Sequence, residues 1–134
     1  MDIAFVYHQN IAQVDFRFLV YFFKSIMSSF DIGEDSTRMG LAGFGGTPNS
    51  GNDNDNVVFD FAAMQTLPNL KSRIDEQMEF QPGKGKLIDA LSLANNHLFK
   101  AGKGSRKDVP KVQFISVSNI FLLTKRKEEM EIFI

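Results

Sequence analysis

The chain has 134 residues and a formal net charge of -1, which points to one domain and leaves no global field to recruit nucleic acid or an anionic membrane. Hydrophobic residues make up 43% and charged residues 23%, the balance of a globular domain rather than a disordered or fibrous chain. The absence of cysteine excludes a disulfide scaffold, a thiolate metal site and a cysteine nucleophile, while no apolar run approaches the roughly 18 residues that span a bilayer.

Ile3 to Tyr7 is a continuous apolar run that stops at His8-Gln9-Asn10, which reads as a buried strand of a parallel sheet. Ligands of open α/β sheets collect beyond the carboxyl ends of such strands, so the stretch from His8 to Ala12 is the first place to look for a site. Val14 to Phe30 predicts a helix, with Phe16, Leu19, Val20, Phe23, Ile26, Met27 and Phe30 at helical spacing. Phe18, Tyr21 and Phe22 widen its apolar arc, so it is expected to be buried on several sides, against a sheet and between neighbouring helices. Asp31 to Ser36 supplies turn chemistry, and Thr37 to Phe44 predicts a second strand.

Gly45 to Asn56 is a long polar loop, and Val57 to Phe61 is a short strand that turns back on the second as an antiparallel edge. Leu67 to Met78 predicts a helix, with Pro68 tolerated in its first turn. After the break at Gln81 to Gly85, Leu87 to Lys100 predicts another, with Leu87, Leu91, Ala94 and Leu98 on one face and Ile88 beside them. Gly102 to Asp108 is a loop, and Val109 to Val117 a buried strand. Crossovers through helices make this an α/β chain with a largely parallel sheet. The tail, Ile120 to Ile134, reads as a helix or as a helix running into an edge strand.

Taken together, Asp2-Ile3-Ala4-Phe5-Val6, Phe16 and its helix, Ser36-Thr37-Arg38-Met39-Gly40-Leu41 with Phe44, Gly85-Lys86 leading to Ala90-Leu91 and Leu98-Phe99, and Gly104 to Val112 resemble a von Willebrand factor type A domain. The nearest flavour is the extracellular matrix type of collagen VI and matrilins. The resemblance runs in order from Asp2 to about Ser118. It implies a doubly wound, mostly parallel sheet with one antiparallel edge strand, flanked by helices, a Rossmann-like α/β fold. Such domains carry a metal-ion-dependent adhesion site built from an Asp-x-Ser-x-Ser motif, a Thr and a later Asp. Hydroxyl and carboxylate oxygens of that kind satisfy an octahedral Mg²⁺ and leave one position for a partner's acid.

Laid onto this chain, the motif falls on His8, Asn10 and Ala12, the Thr on or beside Pro82, and the Asp on Ser118 with Asn119 following. No carboxylate remains, so the resemblance implies a degenerate site with no metal and no cofactor. His8, Gln9, Asn10, Lys84, Ser118 and Asn119 are then the groups on that face that can hydrogen-bond a partner. The chain divides into a domain over residues 1–118 and a divergent or truncated segment over 119–134, as expected if the domain is C-terminally truncated.

Other signals have ordinary readings. His8 has only His97 as an imidazole companion, and Gly43 to Thr47 and Gly83 to Lys86 read as turn glycines because neither follows a phosphate-loop pattern. Asn52 to Asn56 lacks the glycine and terminal glutamate of a calcium loop. Lys103, Arg106 and Lys107, with Lys100 and Lys111 nearby, form a local basic patch for sulfated glycans or acidic proteins, diluted by Asp108. Asp75-Glu76 and Glu128-Glu129 are sequence neighbours that point apart on a helix.

The expected function is a non-enzymatic extracellular interaction or adhesion module, part of a larger secreted chain, that binds matrix or cell-surface proteins, collagen among the candidates, without a metal. No nucleic acid and no membrane insertion are expected. The alternatives are a structural spacer in a tandem array and, from another class, a nucleotide- or phosphate-binding domain.

Overall fold

The strand β1 (Asp2–His8) lies at the middle of the sheet, with parallel β2 (Arg38–Phe44) on one side and parallel β4 (Lys111–Val117) on the other. A strand with neighbours on both edges and helices on both faces has no wet side, and Asp2 through Tyr7 are accordingly all buried. The computed structural model describes residues 1–9, 13–45, 56–78, 80, 87–117, 120–125 and 129–133. Among them the sheet has six strands in the order β3-β2-β1-β4-β5-β6, with β3 spanning Asn56–Phe59, β5 Ile120–Lys125 and β6 Glu129–Phe133.

The alternation along β1 assigns the two faces. Ile3, Phe5 and Tyr7 point to the side covered by α1 (Gln13–Met27) and α2 (Leu67–Gln77), where they meet Leu19, Phe23, Met27, Leu70 and Ile74. Phe5 and Phe23 touch edge to face with centroids 5.5 Å apart. Ala4 and Val6 point to the other side, against α3 (Leu87–Leu93) and the π-helical turn Ala94–Leu98 that continues it. Small residues on that side let the helix come close: a Cβ on Gly40 would sit 3.3 Å from Leu98 Cδ2. Full burial of each large side chain contributes about 2 kcal/mol, so the aromatic face holds most of the core energy.

α2 starts where the sequence says it should. Thr66 caps it, its side chain accepting from the Asn69 N–H at 3.4 Å, and Pro68 sits in the first turn, where its missing N–H costs nothing. The expected strands, both crossovers and the antiparallel edge strand β3 are all present. The helix predicted over Leu87 to Lys100 changes character at Ala94. Its last turn is π-helical, closed by the Phe99 N–H donating to Ala94 O at 2.8 Å, and the consecutive residues Leu98 and Phe99 are both buried. Ile88, expected beside the buried face of that helix, is 62% exposed.

Two further expectations are overturned. The flank of α1 facing α2 is closed, with Lys24 Nζ 2.6 Å from Asp75 Oδ1, but among the described residues no helix covers the other flank. There Phe22 lies against Phe114 of β4, at 5.9 Å, and Phe18 and Tyr21 are 68% and 73% exposed. The tail is neither a helix nor a helix with a strand. It forms β5 and β6, an antiparallel pair that continues the sheet from β4 with Val112 opposite Lys125, Phe114 opposite Leu123 and Ser116 opposite Phe121. The bare edge of β4 supplies unpaired backbone groups, and Ile-Phe-Leu-Leu-Thr has the composition to pair with them. The sheet is thus parallel at its centre and antiparallel towards both edges.

Candidate functional site

The chain leaves β1 through α1 towards β2 on one face and returns through α3 to β4 on the other, so winding reverses between β1 and β4. At such a switch point the strand ends diverge and leave a crevice at the carboxyl rim. Tyr7 stands in register with Ser116 and Gly43, and His8 with Phe44, so the rim is formed by the ends of β1, β2 and β4.

His8 is half-buried, with its ring against Phe44 at 5.0 Å between centroids. Gln9 extends the parallel ladder, its N–H donating to Phe44 O at 2.9 Å. Its side chain is fully buried, and among the described residues neither amide atom has a hydrogen-bond partner. Gly43 makes this possible: a Cβ there would sit 2.7 Å from Gln9 Cγ and 2.6 Å from Tyr7 Cζ. Gly43 is therefore a strand glycine accommodating its neighbours, not the turn glycine expected from the sequence, whereas Gly45, with φ 76°, does turn the chain. The sequence signal was available, since an interior strand glycine marks close approach of another group. Beside the rim, Phe16 links Tyr7, at 6.4 Å, to the half-exposed Phe80, at 6.1 Å. Asn10, Lys84, Ser118 and Asn119 lie outside the described residues, as do Ala12, Pro82, Gly83 to Lys86 and Asn52 to Asp55. Among the described residues no group of three or more His, Asp or Glu side chains is placed to hold a metal ion.

The basic patch lies at the opposite rim. Lys103 and Lys107 are exposed, but Arg106 turns inward onto Asp2, which is fully buried. Its guanidinium donates to Asp2 Oδ1 from Nε at 3.0 Å and from Nη2 at 2.7 Å, and Nη2 also reaches Ser36 O and Met1 O. The Arg106 N–H donates to Asp2 Oδ2 at 2.7 Å. Lys111 donates to Arg106 O and stands 4.0 Å from the same carboxylate. A buried carboxylate with this many donors is a structural clamp that ties the loop before β4 to the start of β1. The structure therefore separates the two candidate groups: His8 and Gln9 at one rim, Lys103, Arg106 and Lys107 at the other.

The family model of the von Willebrand factor type A domain matches residues 2–119. The chain belongs to this family. A collagen alpha-4(VI) chain of Mus musculus is 27% identical over 121 residues, covering 89% of this chain and 5% of that protein. Among solved structures, proximal thread matrix protein 1 of the mussel byssus aligns with a TM-score of 0.69 and 22% identity over 88% of this chain and 29% of its own. In that structure the adhesion motif of the mussel protein is occupied by zinc. A second crystal form of the same protein gives a TM-score of 0.61, with 22% identity over 73% and 25% of the two chains. The chain spans far less than two thirds of each of these relatives. This von Willebrand A domain has the family's parallel centre, and no helix among its described residues is long and apolar enough to cross a membrane.

Proposed function

We propose that this von Willebrand A domain is a non-enzymatic, extracellular protein-interaction module that engages matrix or cell-surface proteins through its carboxyl rim without a divalent ion. The observation that carries the reading is His8: where the family's motif begins with a carboxylate, this strand ends in an imidazole packed on the ring of Phe44. A hard cation such as Mg²⁺ gives up its water only to a near-octahedral set of oxygens with negative charge among them. The residues at the aligned positions, His8, Asn10, Ala12 and Ser118, bring no carboxylate, so they do not fit that ion. Recognition then rests on neutral hydrogen bonds and on the apolar ledge of Phe16 and Phe80, the mixture found in the cores and rims of protein interfaces.

The test is surface plasmon resonance against immobilised matrix proteins, collagen first, in EDTA and in millimolar Mg²⁺ or Mn²⁺. Equal affinity in both buffers is expected. Binding that vanishes in EDTA and returns with Mg²⁺ overturns metal independence. A second reading, a spacer within a longer array, draws on the lengths of the relatives, and it predicts no saturable binding to any matrix protein in either buffer. A glycan-binding reading has less support, because Arg106 and Lys111 are directed onto Asp2 and leave Lys100, Lys103 and Lys107 as the exposed cations of the patch.

A further inference from the structure

Three glutamines are buried among the described residues, and their amides fare differently. Gln65 bonds at both ends: its Oε1 accepts from the Met39 N–H at 2.8 Å and its Nε2 donates to Met39 O at 3.1 Å. Among the described residues Gln113 of β4 has one amide atom without a partner, Nε2, and Gln9 has two. The Gln9 backbone is nevertheless fixed, its N–H donating to Phe44 O at 2.9 Å. The side chain alone is at odds with its surroundings. An amide buried without hydrogen bonds loses much of what its two CH₂ groups gain by leaving water, so the seated and withdrawn positions of Gln9 lie close in free energy.

The seat exists because residue 43 is a glycine. A Cβ there would stand 2.6 Å from Tyr7 Cζ, 2.8 Å from Tyr7 Oη and 2.7 Å from Gln9 Cγ, so both side chains occupy the space that any larger residue would fill. Tyr7 is held in that space by ring contacts with Phe16 and Phe23, at 6.4 and 6.3 Å, and its hydroxyl accepts from Asn56 Nδ2 at 3.4 Å. Among the described residues no hydrogen bond holds the Gln9 side chain beside it.

We propose that Gln9 is a two-position switch at the carboxyl rim. It is seated against Gly43 in this structure and turns outward in a second state, populated at about 1%, in which solvent or a bound partner satisfies the amide. The bond from the Gln9 N–H to Phe44 O does not involve the side chain, so the strand stays in register while the side chain rotates. In the outward state the rim gains one donor and one acceptor, and a partner that bonds them shifts the population without moving the sheet. The switch is a property of the free domain and does not depend on the function proposed for the rim.

The test is NMR of the ¹⁵N-labelled full chain, with Gln65 as the control in the same spectrum. Chemical exchange saturation transfer is expected to reveal a second state at the Gln9 side-chain amide and none at that of Gln65. In heavy water the Gln9 side-chain protons are expected to exchange about tenfold or more faster than those of Gln65, while the Gln9 backbone N–H stays protected. Gln9→Met, which fills the seat without an amide, is expected to keep the spectrum of a folded domain and to abolish the second state as seen at the backbone amides of His8, Gly43 and Phe44. A Gln9 side chain in one state, exchanging as slowly as Gln65, would overturn the proposal. So would equal exchange of the Gln9 backbone and side-chain amides, which is fraying of the strand end, or a second state that persists in Gln9→Met.

Discussion

At the amino rim Asp2 is buried with its carboxylate held by Arg106 and Lys111; at the carboxyl rim Gln9 is buried just as deeply, and among the described residues neither of its amide atoms has a hydrogen bond. Gln65 shows that the difference is not one of residue type, since the same amide, buried beside β2, bonds both backbone groups of Met39. The sheet thus invests full polar satisfaction where loops are tied down and withholds it beneath the rim where ligands of such folds collect. Breaking the contrast at each point gives effects of graded size.

The largest effect is expected at Asp2. Asp2→Ala leaves the Arg106 guanidinium and the Arg106 N–H without their main acceptor in a buried setting, and should cost about 3 kcal/mol or more in urea unfolding. Loss of less than about 1 kcal/mol would mean that the clamp is decorative. Next comes Gln65→Leu, which fills the same space but strips Met39 of partners for both its N–H and C=O, for a cost of about 2 kcal/mol. Gln9→Met sharpens the comparison from the other side. Removing an amide that is desolvated without compensation should stabilise the domain by about 1 kcal/mol, a rise of a few degrees in Tm. A fall in Tm would show that Gln9 is satisfied in solution.

The central strands and the crossovers were legible because local pattern dictates them: the uninterrupted apolar run of β1, the 3.6-residue spacing of Leu70 and Ile74, the Thr66 cap. The clamp was not legible. Asp2 and Arg106 are 104 positions apart, and nothing local to either says that the guanidinium folds inward rather than joining the lysines of its loop. The exposure of Phe18 and Tyr21 escaped for a related reason: the width of an apolar arc reports what a helix can bury, not whether a neighbour is present to bury it. In the tail, short apolar runs fit either period, and the deciding factor was the open edge of β4, a tertiary fact. At the site, His8 in place of an acid was readable residue by residue, whereas the burial of Gln9 required knowing that Gly43 lies beside it.

The smallest effect belongs to the pair that joins α1 to α2. Lys24 Nζ and Asp75 Oδ1 are 2.6 Å apart, about as close as Arg106 Nη2 and Asp2 Oδ1 at 2.7 Å, yet their side chains are 30% and 57% exposed. Water competes for both partners and salt screens them, so Asp75→Ala should cost about 0.5 kcal/mol or less, shrinking further as NaCl is raised. The same salt titration applied to Asp2→Ala should leave its larger penalty almost unchanged, because a buried carboxylate is shielded from the ionic atmosphere. Distance alone does not separate the two ion pairs, and the salt series separates them by burial: parallel slopes for the two variants would mean that Asp2 is hydrated in solution and that the amino rim is looser than its hydrogen bonds imply.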